Sequence, residues 1–319
     1  MSGDRDLTAL TEKLEAGEAL ALSKLISAVE DRTDGYRAAM DAIYQDTGDA
    51  WVIGVTGPPG VGKSTLVDKL TDRFRDRDCT VGIIAVDPSS PFSGGAVLGD
   101  RVRMKSTMSD SGVFCRSMSA RGNVGGLSSA TYDTVYLMDR FGLDVIIIET
   151  VGAGQSEIDI VRTADTVLVA ANPSAGDDVQ SVKAGILEIG DVFAVNKADL
   201  EGSEKTVQQL REMVSRRAQD DWEPPIIATS ATGGTGLDEL FSNLTTHHDH
   251  LQESGTGDER RRRRIRSDIQ RQVEAIIEQR VQQQLDTIDS YDTLVEDILR
   301  GDGSPYSVAR SITDSDISF

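Results

Sequence analysis

The stretch from Val52 to Thr65 constrains the fold of this chain more than any other, because an apolar run leads directly into a glycine-rich turn. Gly57–Ser64 reads GPPGVGKS and matches the P-loop pattern G-x-x-x-x-G-K-[ST]. In such a turn the glycines let backbone N–H groups point at phosphate oxygens, and the helix that follows favours an anion at its N-terminus. A chance glycine turn is the alternative, and the flanking strand and amphipathic helix disfavour it.

Side chains of this turn have separate predicted tasks. Lys63 supplies a positive charge to the β and γ phosphates of a nucleotide, and Ser64 supplies a hydroxyl to Mg²⁺. The predicted phosphate-binding residues are Gly57, Pro58, Pro59, Gly60, Val61, Gly62, Lys63, Ser64 and Thr65.

Strand and helix patterns alternate from Trp51 onward, which predicts an α/β fold with a mostly parallel sheet flanked by helices, a P-loop NTPase. Such strands are short, apolar and β-branched because both faces of the sheet are covered. The predicted strands are Val52–Val55, Val81–Val86, Val145–Glu149, Val167–Ala170, Val192–Val195 and Ile226–Ala228. The predicted helices are Ser64–Arg75, Leu127–Arg140, Val179–Glu188, Lys205–Arg217 and Gly236–His250.

Helical patterns also flank this central region. Leucines recur at helical spacing between Asp6 and Thr47, and residues 253–258 are interpreted as a linker before a glutamine-rich helix with an apolar stripe. We expect a helical N-terminal extension at 1–49, a GTPase domain at 50–252, and a C-terminal helical arm and tail at 253–319. The apolar stripe predicts that this arm forms a homodimer.

Five consecutive arginines, Arg260–Arg264, open the C-terminal helix. A nucleic-acid contact is one interpretation. A solvated or partner-facing helix start is favoured, because the formal net charge of the whole chain is −20 and repels nucleic acid. Excess acid with scarce lysine is similar to proteins from salt-loving archaea, where the acidic surface is a solubility adaptation.

The composition also supports expectations about the cellular location and about metal binding. There is no apolar stretch of membrane-spanning length and no basic-then-apolar leader, so we expect no membrane partner and a cytoplasmic location. The distant Cys79 and Cys115 fit reduced thiols. His247, His248 and His250 are interpreted as a polar helix end, with a metal site as the disfavoured alternative.

Asn196-Lys197-Ala198-Asp199 follows the predicted strand Val192–Val195 and matches N-K-x-D. A carboxylate at Asp199 can accept hydrogen bonds from both N1–H and N2–H₂ of guanine, whereas adenine presents an acceptor at N1. Ser230 and Ala231 close the next strand, where a backbone N–H can reach guanine O6. The pattern therefore predicts GTP or GDP as the ligand in preference to ATP.

Three acidic residues are candidates for Mg²⁺ and catalysis. Asp87 and Glu149 end predicted strands, Glu149 standing where GTPases usually carry D-x-x-G, and Asp100 lies in a loop. Because Mg²⁺ takes only one or two carboxylates, we expect Ser64 as a direct ligand and Asp87 and Glu149 as direct or water-mediated ones. Capping of strand ends is the alternative. Gln155 is displaced from the position that aligns water in Ras-like enzymes, so we expect slow hydrolysis without a partner.

Longer segments resemble one family. Residues 86–104 (VDPSSPFSGGAVLGDRVRM), 116–128 (RSMSARGNVGGLS), 149–157 (ETVGAGQSE) and 176–191 (GDDVQSVKAGILEIGD) are similar to motifs of the methylmalonyl-CoA mutase-associated GTPases, the MeaB/ArgK family. The resemblance implies a metallochaperone-like GTPase that gates loading of adenosylcobalamin into a mutase and protects or reactivates that mutase. It implies a homodimer, Asp87, Asp100 and Glu149 as Mg²⁺ and switch acids, and Asp178, Gln180 and Lys183 as a nucleotide-sensing switch. With Lys63 from the P-loop, Asp87, Asp100 and Glu149 are the predicted catalytic residues.

Two other functions remain open at this point. Relatives have been described as arginine/ornithine transport system kinases, although no second substrate pocket is evident in the sequence. A nickel- or cobalt-insertion GTPase is the other alternative, and the sparse cysteine and histidine count against it.

Overall fold

β-Branched and apolar segments form a seven-stranded parallel sheet at the centre of the molecule. The computed structural model describes residues 2–87, 110–119, 127–150, 159–173, 184–216, 221–287 and 291–316. The strand order is β3-β2-β4-β1-β5-β6-β7. The strands are β1 (Trp51–Thr56), β2 (Val81–Asp87), β3 (Val113–Ser119), β4 (Val145–Glu149), β5 (Thr166–Ala171), β6 (Val192–Val195) and β7 (Ile226–Ala228).

All six predicted strands are confirmed, and β3 is an additional strand that the sequence patterns did not predict. β3 pairs only with β2 and is therefore an edge strand, and its side chains are mostly half-buried. Polar residues such as Arg116 and Ser117 are tolerated there, so the continuous apolar run expected of a buried parallel strand is missing.

Helices cover both faces of the sheet. The first three are α1 (Ser2–Glu15), α2 (Ala19–Glu30) and α3 (Tyr36–Tyr44), which confirms the helical N-terminal extension. The others in this part are α4 (Lys63–Arg75), α5 (Ser129–Arg140), a 3₁₀ turn (Ile160–Arg162), α6 (Ala184–Ile189), α7 (Ser203–Val214) and α8 (Leu237–Ser254). Of the helix predicted at Val179–Glu188, residues 179–183 lie outside the described residues.

Two apolar layers hold these helices on the sheet. One contains α1, α2 and α5 and includes Leu14, Leu22 and Leu137, all fully buried. The other contains α4 and α8 and includes Leu70 and Leu244. β1 lies between β4 and β5 in the middle of the sheet, so both of its faces are covered and its six residues are all buried.

The C-terminal helices are α9 (Thr256–Thr287), α10 (Tyr291–Arg300) and α11 (Pro305–Asp316). The predicted linker at 253–258 is wrong, because α8 runs to Ser254 and only Gly255, at φ +76°, separates it from α9. The chain divides into two compact units, residues 1–264 and 265–319. Among the described helices, none has the length and apolarity needed to cross a membrane.

Candidate functional site

The P-loop connects the C-terminal end of β1 to α4, and its backbone shape requires glycine. Gly57 has φ +139°, and a Cβ atom there would lie 2.1 Å from the Ala170 carbonyl oxygen. Gly62 has φ +97°, and a Cβ atom there would lie 2.5 Å from Asn196 Nδ2. The loop is therefore pressed against β5 and the segment after β6, and larger residues are excluded at both positions.

Lys63 lies inside this loop. Its side chain is buried, and Nζ donates hydrogen bonds to the carbonyl oxygens of Gly57 at 2.8 Å and Pro58 at 3.1 Å. Val61 is fully buried, whereas Pro59 and Gly60 are exposed on the outer side of the loop. The buried ammonium supplies the positive charge that a bound phosphate chain requires.

Ser64 and Glu149 meet at the edge of the sheet. The Ser64 hydroxyl donates a hydrogen bond to Glu149 Oε1 at 2.6 Å, and Glu149 is only 9% exposed. A serine hydroxyl and a carboxylate are oxygen donors of the type that Mg²⁺ prefers. Because Ser64 lies at the end of the phosphate loop and Glu149 is bonded to it, the donor set fits Mg²⁺ beside a nucleotide.

Asp87 ends β2 at the same edge. In the pairing of β2 with β4, Ala85 lies opposite Glu149, so the backbone of Asp87 stands two residues beyond that level. Asp100 and the predicted switch residues Asp178, Gln180 and Lys183 lie outside the described residues, as does Gln155.

Asn196 joins three loops of the site and is 2% exposed. Its Nδ2 donates to the Val61 carbonyl oxygen at 2.8 Å, and its Oδ1 accepts from Ala231 N at 3.1 Å and from Thr229 Oγ1 at 3.4 Å. The N-K-x-D pattern predicts that Asn196 belongs to the nucleotide site, and its side chain bonds to the protein segments around that site, so a direct contact with a nucleotide stays a prediction. Because the Ala231 N–H donates to Asn196, the predicted hydrogen bond from this loop to guanine O6 stays a prediction.

Lys197 and Asp199 are the other charged members of N-K-x-D. Lys197 has φ +58°, and its Nζ donates to the Gly60 carbonyl oxygen at 2.8 Å, so its stem extends over the P-loop. Asp199 is exposed and accepts a hydrogen bond from Ser230 Oγ at 2.6 Å. That hydrogen bond lowers the pKa of the Asp199 carboxyl, which keeps it an ionised hydrogen-bond acceptor.

Asp68 is a feature of this region that the sequence patterns did not indicate. It lies one helical turn after Ser64 on α4, and its Oδ1 is buried without a hydrogen-bond partner among the described residues. Burial, with a smaller contribution from Asp72, raises the pKa of Asp68 to about 6. In the sequence its one sign is an acidic residue between the apolar helix positions Val67 and Leu70.

The predicted polar helix end at His247–His250 is wrong for His247. This side chain is fully buried, and its Nδ1 lies 2.9 Å from Thr166 Oγ1. Its Nε2 lies 3.5 Å from Asp191 Oδ1 without forming a hydrogen bond. Among the described residues no group of three or more His, Cys, Asp or Glu could hold a metal ion. Burial lowers the pKa of His247 to about 4, so the ring is a neutral core residue.

The prediction that the Arg260–Arg264 run is solvated or partner-facing is also wrong for two of its members. Arg260 makes a bidentate ion pair with Asp191, and Arg264 pairs with Asp165 at 2.9 Å. Arg262 and Arg263 are exposed, as predicted. The first turns of α9 are therefore bonded to the ends of the strands.

Comparison with known sequences agrees with this geometry. The family described as "Methylmalonyl Co-A mutase-associated GTPase MeaB" matches residues 22–286. The chain belongs to the MeaB family. The family match includes the P-loop, Glu149, N-K-A-D and the Ser230-Ala231 pair.

Relatives of this MeaB-family chain include archaeal and bacterial proteins. A Pyrococcus horikoshii protein with a provisional GTPase name is 45% identical, with 94% of this chain and 95% of that protein covered. The Escherichia coli GTPase ArgK is 34% identical, with 80% of each chain covered. The crystal structure of a protein named LAO/AO transport system kinase has a TM-score of 0.70 at 24% identity, covering 98% of this chain and 97% of that one, and shows the same fold.

Proposed function

We propose that this chain binds GTP with Mg²⁺ and hydrolyses it to GDP and phosphate. The observation that carries this proposal is the joining of the two halves of the site. Asn196 and Lys197, from the guanine-reading segment, donate hydrogen bonds to Val61 and Gly60 of the phosphate loop. A ligand that spans both halves has a guanine base at Asp199 and phosphates at Lys63, and relatives of this chain are named GTPases.

The residues have distinct roles in this reaction. Lys63 neutralises charge that develops on the β–γ bridging and γ oxygens as water attacks the γ phosphorus and the bond to the bridging oxygen breaks. Ser64 and Glu149, with Asp87 at the same edge, would hold Mg²⁺, which supplies charge neutralisation to the β and γ phosphates. Asp199 fixes the base. Asp100 and the switch residues Asp178, Gln180 and Lys183 are included in this proposal on the family resemblance alone.

We further propose that the nucleotide cycle serves an adenosylcobalamin-dependent acyl-CoA mutase, whose cofactor loading and protection it controls. The name of the matching family supports this assignment. A mouse relative named "Methylmalonic aciduria type A homolog, mitochondrial" is 33% identical over 64% of this chain and half of that protein. The location would be cytoplasmic, and hydrolysis would be slow until the mutase binds, because Gln155 is displaced in the sequence from the position that aligns water in Ras-like enzymes.

A homodimer is part of this proposal. Ile269, Val273 and Ile277 follow one another at four-residue spacing on α9, and their exposed fractions are 61%, 49% and 39%. A stripe of this kind is suited to pairing with a second copy of the helix.

Steady-state GTP hydrolysis with and without a purified methylmalonyl-CoA mutase tests the proposal. We expect slow release of phosphate by the chain alone, at least a roughly tenfold increase with the mutase, and no activity in Lys63→Ala. Co-purification of the two proteins in the GDP, GTP and nucleotide-free states should show a nucleotide-dependent complex. No complex in any state and no stimulation would contradict the mutase assignment.

The kinase alternative has little support, because the similar solved structure that is named a kinase shares the fold at 24% identity and shows no more than that. Incubation with radiolabelled GTP or ATP and candidate acceptor proteins distinguishes the two functions. Label released as inorganic phosphate supports hydrolysis, whereas label transferred to a protein acceptor supports a kinase.

A further inference from the structure

Three arginines in the second and third turns of α9 bond to segments that precede three different strands. These residues, Arg260, Arg261 and Arg264, are called the arginine clamp below. Arginine is suited to this task because its planar fork can donate several hydrogen bonds in fixed directions. The clamp lies at the N-terminal ends of the strands, opposite the nucleotide edge.

Arg260 makes the most extensive contact. Its Nη1 and Nη2 donate to the two carboxylate oxygens of Asp191 at 2.8 and 2.7 Å, and Nη1 also donates to the Asp165 carbonyl oxygen at 2.7 Å. Asp191 is only 7% exposed and also accepts from Val167 N at 2.9 Å. The pair is therefore largely shielded from water and fixed at both partners, which distinguishes it from a surface ion pair.

Arg264 and Arg261 extend the clamp to other segments. Arg264 donates to Asp165 Oδ1 and to the Thr163 carbonyl oxygen, both at 2.9 Å. Arg261 donates to the Thr47 carbonyl oxygen at 3.1 Å, in the segment that leads into β1. The clamp therefore bonds to the residues just before β5 and β6 and to the segment that leads into β1.

The far ends of two of these strands carry the nucleotide site. β6 has four residues, which span about 13 Å, and all four are fully buried. Asp191 precedes it, and Asn196 follows it and bonds to the P-loop. β1 leads directly into the P-loop itself. Short buried strands therefore connect the clamp with both halves of the nucleotide site.

We propose that the arginine clamp couples the nucleotide site to α9, so that a shift of β1 and β6 on exchange of GDP for GTP is passed to the base of this helix. The proposal rests on the nucleotide binding proposed above. α9 also carries the apolar stripe at Ile269, Val273 and Ile277. The clamp would thus give the C-terminal helices a response to nucleotide state that does not require them to touch the nucleotide.

Hydrogen–deuterium exchange of the full chain tests the coupling, read at the amides of residues 256–264 in the nucleotide-free, GDP and GTP-analogue states. In the wild type we expect exchange there to differ by at least about threefold between the GDP and GTP-analogue states. The variant Arg260→Lys/Arg264→Lys keeps both charges but loses the bidentate geometry. We expect it to exchange faster in every state and to lose the nucleotide dependence.

The matched control is Arg262→Lys/Arg263→Lys, which makes the same change at the two exposed neighbours. It should behave as the wild type does. Binding of a fluorescent GDP analogue is measured on all three proteins and should agree within about threefold, since the clamp is remote from the site. A far-UV circular dichroism melt checks that each variant is folded.

Two results would overturn the coupling: equal exchange of residues 256–264 in wild type with GDP and GTP analogue bound, or a nucleotide dependence that survives in the Arg260→Lys/Arg264→Lys variant. Absence of nucleotide binding by the wild type would instead overturn the proposed function, and the coupling with it. The binding measurement therefore separates the two failures.

Discussion

At the scale of single residues, Asn196 and Asp199 have different roles in the N-K-x-D segment. Asn196 is buried and bonds to Val61, Ala231 and Thr229, so its amide holds three loops in place. Asp199 is exposed, accepts a side-chain hydrogen bond from Ser230, and keeps acceptor capacity for a base. We therefore propose that Asp199 determines the preference for guanine, whereas Asn196 fixes the shape of its surroundings.

Asp199→Asn should change which base is preferred. An amide at this position can accept from N1–H but places a donor opposite the N2–H₂ group of guanine, and it matches the 2-oxo group of xanthine. We expect GTP affinity to fall by about 100-fold or more, since a donor left unpaired costs about 1–3 kcal/mol, and XTP affinity to rise. Competition binding with GTP, XTP and ATP measures this, and an unchanged GTP preference would contradict the role given to Asp199.

His247 should make stability depend on pH. Its folded pKa, about 4, lies below the ordinary 6.5, so the unfolded chain binds the proton more tightly. This contribution to stability is complete above about pH 6.5 and is lost as pH falls towards 4. It amounts to at most about 3 kcal/mol. Urea unfolding of wild type and His247→Phe between pH 7.5 and 4.5 should show a steeper loss for wild type. Parallel curves would contradict this account.

At the scale of elements, the turn from β1 into α4 is tightly constrained by its surroundings. Gly57 and Gly62 have left-handed or related backbone angles and lie against the backbone of β5 and the side chain of Asn196. Gly60 also has positive φ, at +75°, but no atom lies within 4 Å of the place where its Cβ would stand. A side chain would therefore meet crowding at Gly62 but open space at Gly60, which allows the two positions of one loop to be compared.

Gly62→Ala should destabilise the protein more than Gly60→Ala. At Gly60 we expect only the strain of a left-handed alanine, about 1 kcal/mol, because the space is open. At Gly62 the new methyl group also displaces Asn196, and the loss should reach about 2–4 kcal/mol. Urea unfolding at pH 7.5 gives both values. Equal losses at the two positions would show that the Asn196 contact has no energetic importance.

Strands could be predicted from the sequence where burial alone determined the pattern of apolar residues. The strands β1, β2, β4, β5 and β6 were predicted because burial on both faces leaves a continuous apolar pattern, and the edge strand β7 was predicted because its short run Ile226–Ala228 is still apolar. β3 was missed because an edge position relaxes that pattern, as at Arg116. The linker at 253–258 was predicted from Gly255 and Gly257, but a single glycine is enough to end α8, and α9 then begins at Thr256.

Long-range pairings within the site were harder to predict. The motifs follow predicted parallel strands, whose C-terminal ends meet at one edge of the sheet. The sequence therefore predicted that the motif residues lie together at that edge, namely Lys63, Ser64, Asn196, Lys197, Asp199 and Ser230. The bond of Ser64 to Glu149 follows from that arrangement. The pairs Arg260–Asp191 and Arg264–Asp165 lack any local signal, because each joins residues far apart in the sequence.

At the scale of the whole molecule, the C-terminal helices decide the proposed oligomeric state. Ile269→Glu/Val273→Glu places two charges in the apolar stripe of α9, in a chain whose net charge is already −20. We expect a dimer in wild type and a monomer in this variant, measured by sedimentation equilibrium. Gln283→Glu adds negative charge at an exposed position of the same helix and should remain dimeric. A monomeric wild type would contradict the proposal.

The central claim is that the edge formed by the P-loop and the Asn196–Asp199 segment holds a guanine nucleotide. Isothermal titration of the full chain with GTP, GDP and ATP in the presence of Mg²⁺ tests it most directly. The account predicts that GTP and GDP bind with similar stoichiometry and that ATP binds at least about 100-fold more weakly, because Asp199 opposes the acceptor at adenine N1. Binding of ATP as tight as that of GTP, or no binding of either, would contradict it.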